Sequence, residues 1–249
     1  MINIDSHNIT PRVTGRLIPY LSAPGDAQMK IDAWLLQEYV AGRMPPTLRF
    51  YDWSPVAISL GYHQRRYPVA WENLSWQGQP VELVRRPTGG RAVLHQGGLT
   101  YSIITSGQGK RLAIYQRLCE FLIEGWRRLG LDLSYGHQGK EYRHQPDCFA
   151  TATGADLVLA NGYKLIGSAQ LIRDGAVLQH GSMRLQPDTE LFELVFGTKA
   201  PTMPPSLGEY ERSLIISILV QAATDCWGIS WQLEPLTAAE MAIILSCDN

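Results

Sequence analysis

This chain carries little that would tie it to nucleic acid, membrane or metal. Its 22 Lys and Arg against 23 Asp and Glu leave a net charge of -1, without the basic excess that a nucleic-acid footprint needs. The longest apolar stretch, Leu214 to Val220, is broken by Ser217 and falls far short of the roughly 20 residues that cross a bilayer. The start, Met1-Ile2-Asn3-Ile4-Asp5-Ser6-His7, has neither the basic segment nor the apolar core of a secretory signal. A soluble, cytoplasmic protein is therefore expected, with neither nucleic acid nor membrane as a partner. There is no CxxC and no Cys/His spacing of the zinc-binding kind, so no metal site is expected. No internal repeat or low-complexity segment is present. The 4 cysteines, Cys119, Cys148, Cys226 and Cys247, are far apart and are expected as free thiols in a reducing compartment.

What is present fits a globular protein. The 249 residues can bury a sizeable core, and 45% hydrophobic with 18% charged residues is ordinary composition. The elements alternate. A strand is predicted over Arg16 to Leu21, then a helix over Asp26 to Val40 with Met29, Ala33, Leu36 and Val40 on its apolar side. Strands follow at Thr47 to Tyr51, Val56 to Leu60, Val81 to Arg86, Arg91 to Leu94 and Leu99 to Thr105. Leu112 to Leu129 is a helix whose Ile114, Leu118, Phe121, Leu122 and Trp126 keep one apolar face. Asn161-Gly162 and Asp174-Gly175 each predict a type I′ hairpin. Short helices are expected at Glu190 to Phe196 and after the capping box Thr237-Ala238-Ala239-Glu240, with a long one over Glu209 to Cys226. The fold class is α/β in the α+β sense: a mixed, largely antiparallel sheet, single or double, with helices on its faces. One domain spanning 1–249 is expected, helical from about 206.

Two segments carry the chemistry. Arg85-Arg86-Pro87-Thr88-Gly89-Gly90-Arg91-Ala92-Val93-Leu94-His95 and Gly162-Tyr163-Lys164-Leu165-Ile166-Gly167-Ser168-Ala169-Gln170 both set glycines and fixed cations beside apolar strands. Glycine lets backbone approach a ligand closely, and Arg or Lys supplies donors to anions and developing oxyanions. Cys148 lies shortly before the second segment in a polar stretch, whereas Cys119 and Cys226 sit in apolar helical runs and are expected to be buried and inert. Read alone, each feature has a plain alternative. Arg85 and Arg86 are then surface charges, Gly89-Gly90 a turn, His95 a structural histidine, Lys164 a solvated strand residue and Cys148 incidental. Together they suggest a site that handles an acyl group.

The chain resembles the biotin/lipoate protein ligase superfamily over most of its length, and within it the lipoate-ligase-like octanoyltransferase branch. The resemblance rests on Leu48 to Pro55, Ser59 to Gln64, the two segments above, Leu99-Thr100-Tyr101-Ser102, Asp147-Cys148-Phe149 and Leu178-Gln179-His180-Gly181-Ser182, in the family's order. It departs at Gln96-Gly97-Gly98, where many octanoyltransferases have acidic residues and ligases more typically a glycine. The resemblance implies the class II synthetase-like catalytic fold. It implies transfer of an eight-carbon acyl group from octanoyl-acyl carrier protein, through a thioester on Cys148, to a lysine of a lipoyl carrier domain in lipoate assembly. The acceptor would be the glycine cleavage H protein or the E2 lipoyl domain of a 2-oxoacid dehydrogenase.

Cys148 and Lys164 are then the catalytic residues, and Arg86, Thr88, Gly89, Gly90, His95, Gly167, Ser168 and Ala169 the substrate-binding ones. His144 and His180 are candidate bases, and Val84, Val93 and Ile166 candidate acyl neighbours. No cofactor is implied in this reading. The alternatives are an ATP-dependent lipoate-protein ligase acting through lipoyl-adenylate with Mg2+, an amidotransferase between carrier proteins, and a non-catalytic module that docks carrier domains.

Overall fold

A computed structural model describes residues 13–136 and 156–246. In chain order, β1 (Val13–Ala23) leads into α1 (Gly25–Val40), β2 (Thr47–Trp53) and β3 (Ala57–Leu60). A 3-10 turn at Val69–Asn73 and a small hairpin of β4 (Ser75–Trp76) and β5 (Gln79–Pro80) precede β6 (Glu82–Arg85), β7 (Val93–His95) and β8 (Leu99–Ser106). Then come α2 (Arg111–Arg128), β9 (Leu133–Tyr135), β10 (Asp156–Leu159), β11 (Lys164–Arg173) and β12 (Ala176–Met183). The rest is α3 (Thr189–Phe196), a 3-10 turn at Pro205–Glu209, α4 (Arg212–Trp227), β13 (Ile229–Leu233) and α5 (Ala238–Ser246).

Eight strands form one sheet in the order β13-β1-β2-β8-β12-β11-β10-β9, and β6-β3-β7 form a second. β1 runs parallel to β2 and β13, and every other pairing in the large sheet is antiparallel. This is the mixed, largely antiparallel sheet that the pattern predicted. Alternation along the strands sets the layers. Leu48, Phe50, Tyr101 and Ile103 face α2 and α4, joining Phe121, Leu122, Trp126 and Leu219 in the largest core cluster. Ile18 and Ile104, with Leu178, face α1 and α5 instead. Gly125 brings α2 close to α4, since a Cβ there would stand 2.6 Å from Leu219 Cδ2. Each fully buried Leu or Phe contributes about 1.5–3 kcal/mol, so this face anchors the sheet.

Several expectations change. The buried side of α1 is Gln28, Met29, Ile31, Asp32, Leu35 and Leu36, while Ala33 and Val40 are exposed. Two of the buried residues are polar because they bind groups on the sheet rather than packing in the core. The chain after 206 is not wholly helical: β13 extends the sheet beside β1, and α4 starts at Arg212 because a 3-10 turn and Tyr210 come first. The strand expected at Arg91 to Leu94 begins at Val93, since Ala92 and Arg91 belong to the preceding loop. At Asp174-Gly175 both residues have positive φ, 47° and 78°, as a type I′ turn requires. At Asn161-Gly162 only the glycine does, with φ 83°. There Gly162 N donates to Leu159 O at 2.8 Å, giving a type I turn closed by a left-handed glycine. The capping box is present, with Glu240 N donating to Thr237 Oγ1 at 3.1 Å and Thr237 N to Glu240 Oε2 at 2.7 Å. Cys119 is buried, and burial pushes its thiol up to about 12; Cys226 is only half-buried. No helix among the described residues is long and apolar enough to cross a membrane.

Candidate acyl-binding site

The face of the large sheet that carries Arg49, Thr100, His180 and Ser182 meets α1 on one side and the small sheet on the other. Between them lies a cavity of about 690 Å³, the open space at its mouth included. Met29, Trp53, Val93 and Ala169 give it apolar walls. Of the residues named from sequence, Arg86, Gly89, Gly90, His95, Lys164, Gly167, Ser168 and Ala169 all line it. Thr88 stands just behind the wall, 1% exposed. Val93 lines the cavity, but Ile166 lies in the opposite core. Cys148 and His144 lie outside the described residues.

Lys164 opens β11 and is buried, with Nζ 2.9 Å from Oδ2 of the equally buried Asp156 on β10. The β10–β11 hairpin sets this pair: Asp156 lies opposite Gly167, three residues along from Lys164, and a register shift between Leu157 and Val158 interrupts the alternation that would put Lys164 and Gly167 on opposite faces. Gly167 leaves room for the lysine: a Cβ there would sit 3.2 Å from its Cε. A buried cation thus stands at the wall of an apolar cavity, where a charge is worth far more than in water.

Arg86 behaves differently. It donates from Nε and Nη2 to Gly89 O at 3.2 and 2.8 Å, from Nη2 to Arg91 O at 2.7 Å, and from Nη1 to Ser59 O and Oγ at 3.0 and 3.2 Å. Its planar fork folds the Pro87-to-Ala92 loop around itself, so its hydrogen bonds shape the wall.

A second network, which the sequence reading missed, locks that loop to α1. Asp32 Oδ2 faces His180 Nδ1 at 2.9 Å, and His180 Nε2 meets Thr88 Oγ1 at 2.6 Å. Tyr51 donates to Asp32 Oδ2 at 3.1 Å, Arg49 Nη1 lies 3.5 Å from Asp32 Oδ1, and Arg49 Nη2 donates to Gln28. Burial alone would push the Asp32 carboxyl up. The Arg49 charge and the hydrogen bond to His180 outweigh it and hold the carboxyl below its usual range. An ionised Asp32 accepts from His180 Nδ1–H, and His180 Nε2 shares its hydrogen bond with the Thr88 hydroxyl. Both ring nitrogens are occupied, so His180 is a strut for Thr88 rather than an open base. His95 stacks on Trp53, with ring centroids 3.8 Å apart, and shares a hydrogen bond of 2.8 Å with Ser59 through Nε2. Burial, and then the charge of Arg86, push it well below the usual histidine value, so it is neutral at pH 7. Among the described residues its buried Nδ1 has no hydrogen-bond partner.

The mixed sheet with helices on both faces is the fold of solved lipoate-protein ligases. The solved lipoate-protein ligase A bound with ATP superimposes with a TM-score of 0.73 over 93% of each chain at 22% identity. A bi-partite lipoate protein ligase from an archaeal lipoylation system, that of Thermoplasma acidophilum, does so with a TM-score of 0.73 over 94% of this chain and 91% of that one at 21% identity. The chain belongs to the lipoyl protein ligase A/B catalytic domain family, whose profile matches residues 24–210. Among its relatives, octanoyltransferase LipM of Oceanobacillus iheyensis is 33% identical over 88% of this chain and 87% of its own length. That of Kyrpidia tusciae is 37% identical over 71% of this chain and 68% of its own.

Proposed function

We propose that this protein is an octanoyltransferase of lipoate assembly. It moves an eight-carbon acyl group from octanoyl-acyl carrier protein, via a thioester on Cys148, to the target lysine of a lipoyl carrier domain on the glycine cleavage H protein or an E2 subunit. The observation that carries this reading is the similarity to octanoyltransferase LipM, at 33% identity across 88% of the chain. The apolar cavity with Lys164 at its wall supports it.

In the first step the Cys148 thiolate attacks the thioester carbonyl. A new C–S bond forms, the donor's C–S bond breaks, and the donor thiol leaves with the proton that Cys148 gave up. In the second step the neutral amine of the target lysine attacks the Cys148 thioester. An amide forms, the C–S bond breaks, and the amine's proton passes to the sulfur. Thioester exchange costs little free energy and amide formation is downhill, so no cofactor or ATP is needed. Lys164 steadies the negative charge that develops on the carbonyl oxygen and on sulfur, and Asp156 holds its ammonium in position. Gly89, Gly90, Gly167, Ser168 and Ala169 give walls without bulk to the acyl chain, and Arg86, Thr88 and His95 hold those walls. The whole of 1–249 acts as one catalytic domain, in the cytoplasm.

The test is intact mass spectrometry of the protein mixed with octanoyl-acyl carrier protein without ATP, beside Cys148→Ala. An octanoyl adduct on the wild type, absent from the variant and discharged onto apo H protein, is the expected outcome. Modification of apo H protein only with free lipoate, ATP and Mg2+ refutes the transferase and makes this a ligase.

A further inference from the structure

Arg65, Arg66, Arg85, Arg86 and Arg91 all fall between residues 61 and 91, where the only acidic residues are Glu72 and Glu82. This stretch is therefore locally cationic in a chain of net charge -1. Arg65 and Arg66 are exposed and have no ion pair among the described residues. Both glutamates are engaged: Glu82 Oε2 accepts from Gly25 N at 2.5 Å, and Glu72 Oε1 from the Tyr67 hydroxyl at 3.1 Å. Beside the arginines stand exposed His63 and Tyr62, the latter 58% exposed.

The cationic loop is fastened to the cavity. Tyr62 N donates to Thr88 O at 2.8 Å. Gly61 packs so closely on Gly90 that a Cβ would overlap the Gly90 carbonyl. Arg85 reaches over from β6, donating from Nη1 to the carbonyls of Gly61 and Gln64 at 2.8 Å each. Gly90 is itself both exposed and part of the cavity wall. The arginines thus crown one rim of the mouth, on a loop that their neighbour holds rigid.

We propose that this rim, centred on Arg65 and Arg66, is the docking surface for the acyl donor, an acidic carrier protein that presents its thioester on a phosphodiester-linked arm. The inference rests on the transferase reading and names the surface that serves it. Charge selects the donor over the acceptor. The acceptor's reacting group arrives as an ammonium, which a cationic rim repels. The donor's arm carries a phosphate anion, which guanidinium groups bind well. Opposite surface charge steers encounter, and salt weakens it.

The experiment compares the wild type with Arg65→Glu/Arg66→Glu. Cys148 loading is timed by intact mass from octanoyl-acyl carrier protein and from the uncharged octanoyl thioester of N-acetylcysteamine. We expect the variant to load at least tenfold more slowly from the carrier at low salt, equally fast from the small thioester, and with a flattened salt dependence. Discharge of preloaded variant onto apo H protein is expected to be unchanged. Equal loading from the carrier overturns the proposal, as does a defect confined to discharge, which would assign the rim to the acceptor. Wild-type carrier loading that is insensitive to salt overturns it without any variant. If the wild type loads from neither donor, the transferase reading fails separately. Docking is then read from salt-sensitive binding of octanoyl-acyl carrier protein to the intact protein, and its absence overturns the rim.

Discussion

Asp32→Asn is the sharpest probe of the buried network. Asp32 is fully buried and faces Arg49, 1% exposed, His180 and Tyr51. Asp32→Asn keeps the shape, removes the charge, and leaves the Arg49 guanidinium buried without its counter-ion. Breaking a buried pair from one side costs about 3–5 kcal/mol. For a chain of this size each kcal/mol lowers Tm by about 2–4 °C, so a fall of roughly 6–20 °C is expected in calorimetry at pH 7. Arg49→Met added to Asp32→Asn removes the orphaned charge, so the double variant should recover part of the loss. The pH dependence has a definite sign. The folded carboxyl lies below its ordinary 3.8, so the stabilisation is fully present above that value and is lost as pH falls through the folded value. The gap between wild type and Asp32→Asn should therefore close in acid. A loss below about 1 kcal/mol, or a double variant no better than the single, would refute the network's charge logic.

Three further outcomes follow from the site. Gly167→Ala puts a Cβ 3.2 Å from Lys164 Cε and should slow Cys148 acylation by at least about tenfold, with Tm nearly unchanged; an unaltered acylation time course would show that Lys164 need not sit over Gly167. His95→Gln should flatten the stability profile. The wild-type histidine resists protonation well below 6.5 when folded but takes a proton readily when unfolded, so wild-type stability falls as pH drops from about 6.5 towards the folded value; equal urea midpoints for both proteins from neutral to mildly acidic pH would contradict this. Reciprocal swaps should separate the two buried cations. Arg86→Lys loses carbonyl contacts worth about 0.5–1.5 kcal/mol each and should lower Tm, whereas Lys164→Arg should hold Tm and abolish acylation; the reverse pattern in paired melting and mass assays would overturn their assignment.

Much of the cavity lining was legible because it is local in sequence. Gly89-Gly90 and Gly167-Ser168-Ala169 are short stretches whose small residues advertise close approach, and all line one cavity. The network around Asp32 was hidden for a physical reason. Arg49 lies between Leu48 and Phe50, which reads as a strand with one wet face. β2 is instead central, paired with β1 and β8, and α1 covers its polar face. Asp32 likewise reads as a lone charge in a helix until His180, 148 residues away, is brought to it. Asp156 acquires meaning only from hairpin register. β13 had a visible signal, the alternation of Ile229, Trp231 and Leu233 after Gly228, but its parallel partner β1 lies at the other end of the chain.

Arg86 and Lys164 show why residue type predicted more than position did. Both are buried cations in glycine-rich segments of the same cavity. A guanidinium offers a rigid fork of donors that suits converging carbonyls, and Arg86 meets Ser59, Gly89 and Arg91 in that way. An ammonium is a compact point charge on a flexible stem, and Lys164 meets the Asp156 carboxylate beside Gly167. The arginine is therefore suited to hold a loop in shape. On the proposed function, the lysine stays paired with Asp156 and serves charge that develops in the cavity. Exchanging the two types would give a loop with too few donors and a cavity wall with too much bulk. On the proposed function, the division between structure and chemistry is thus set by what each side chain can bind, with burial common to both.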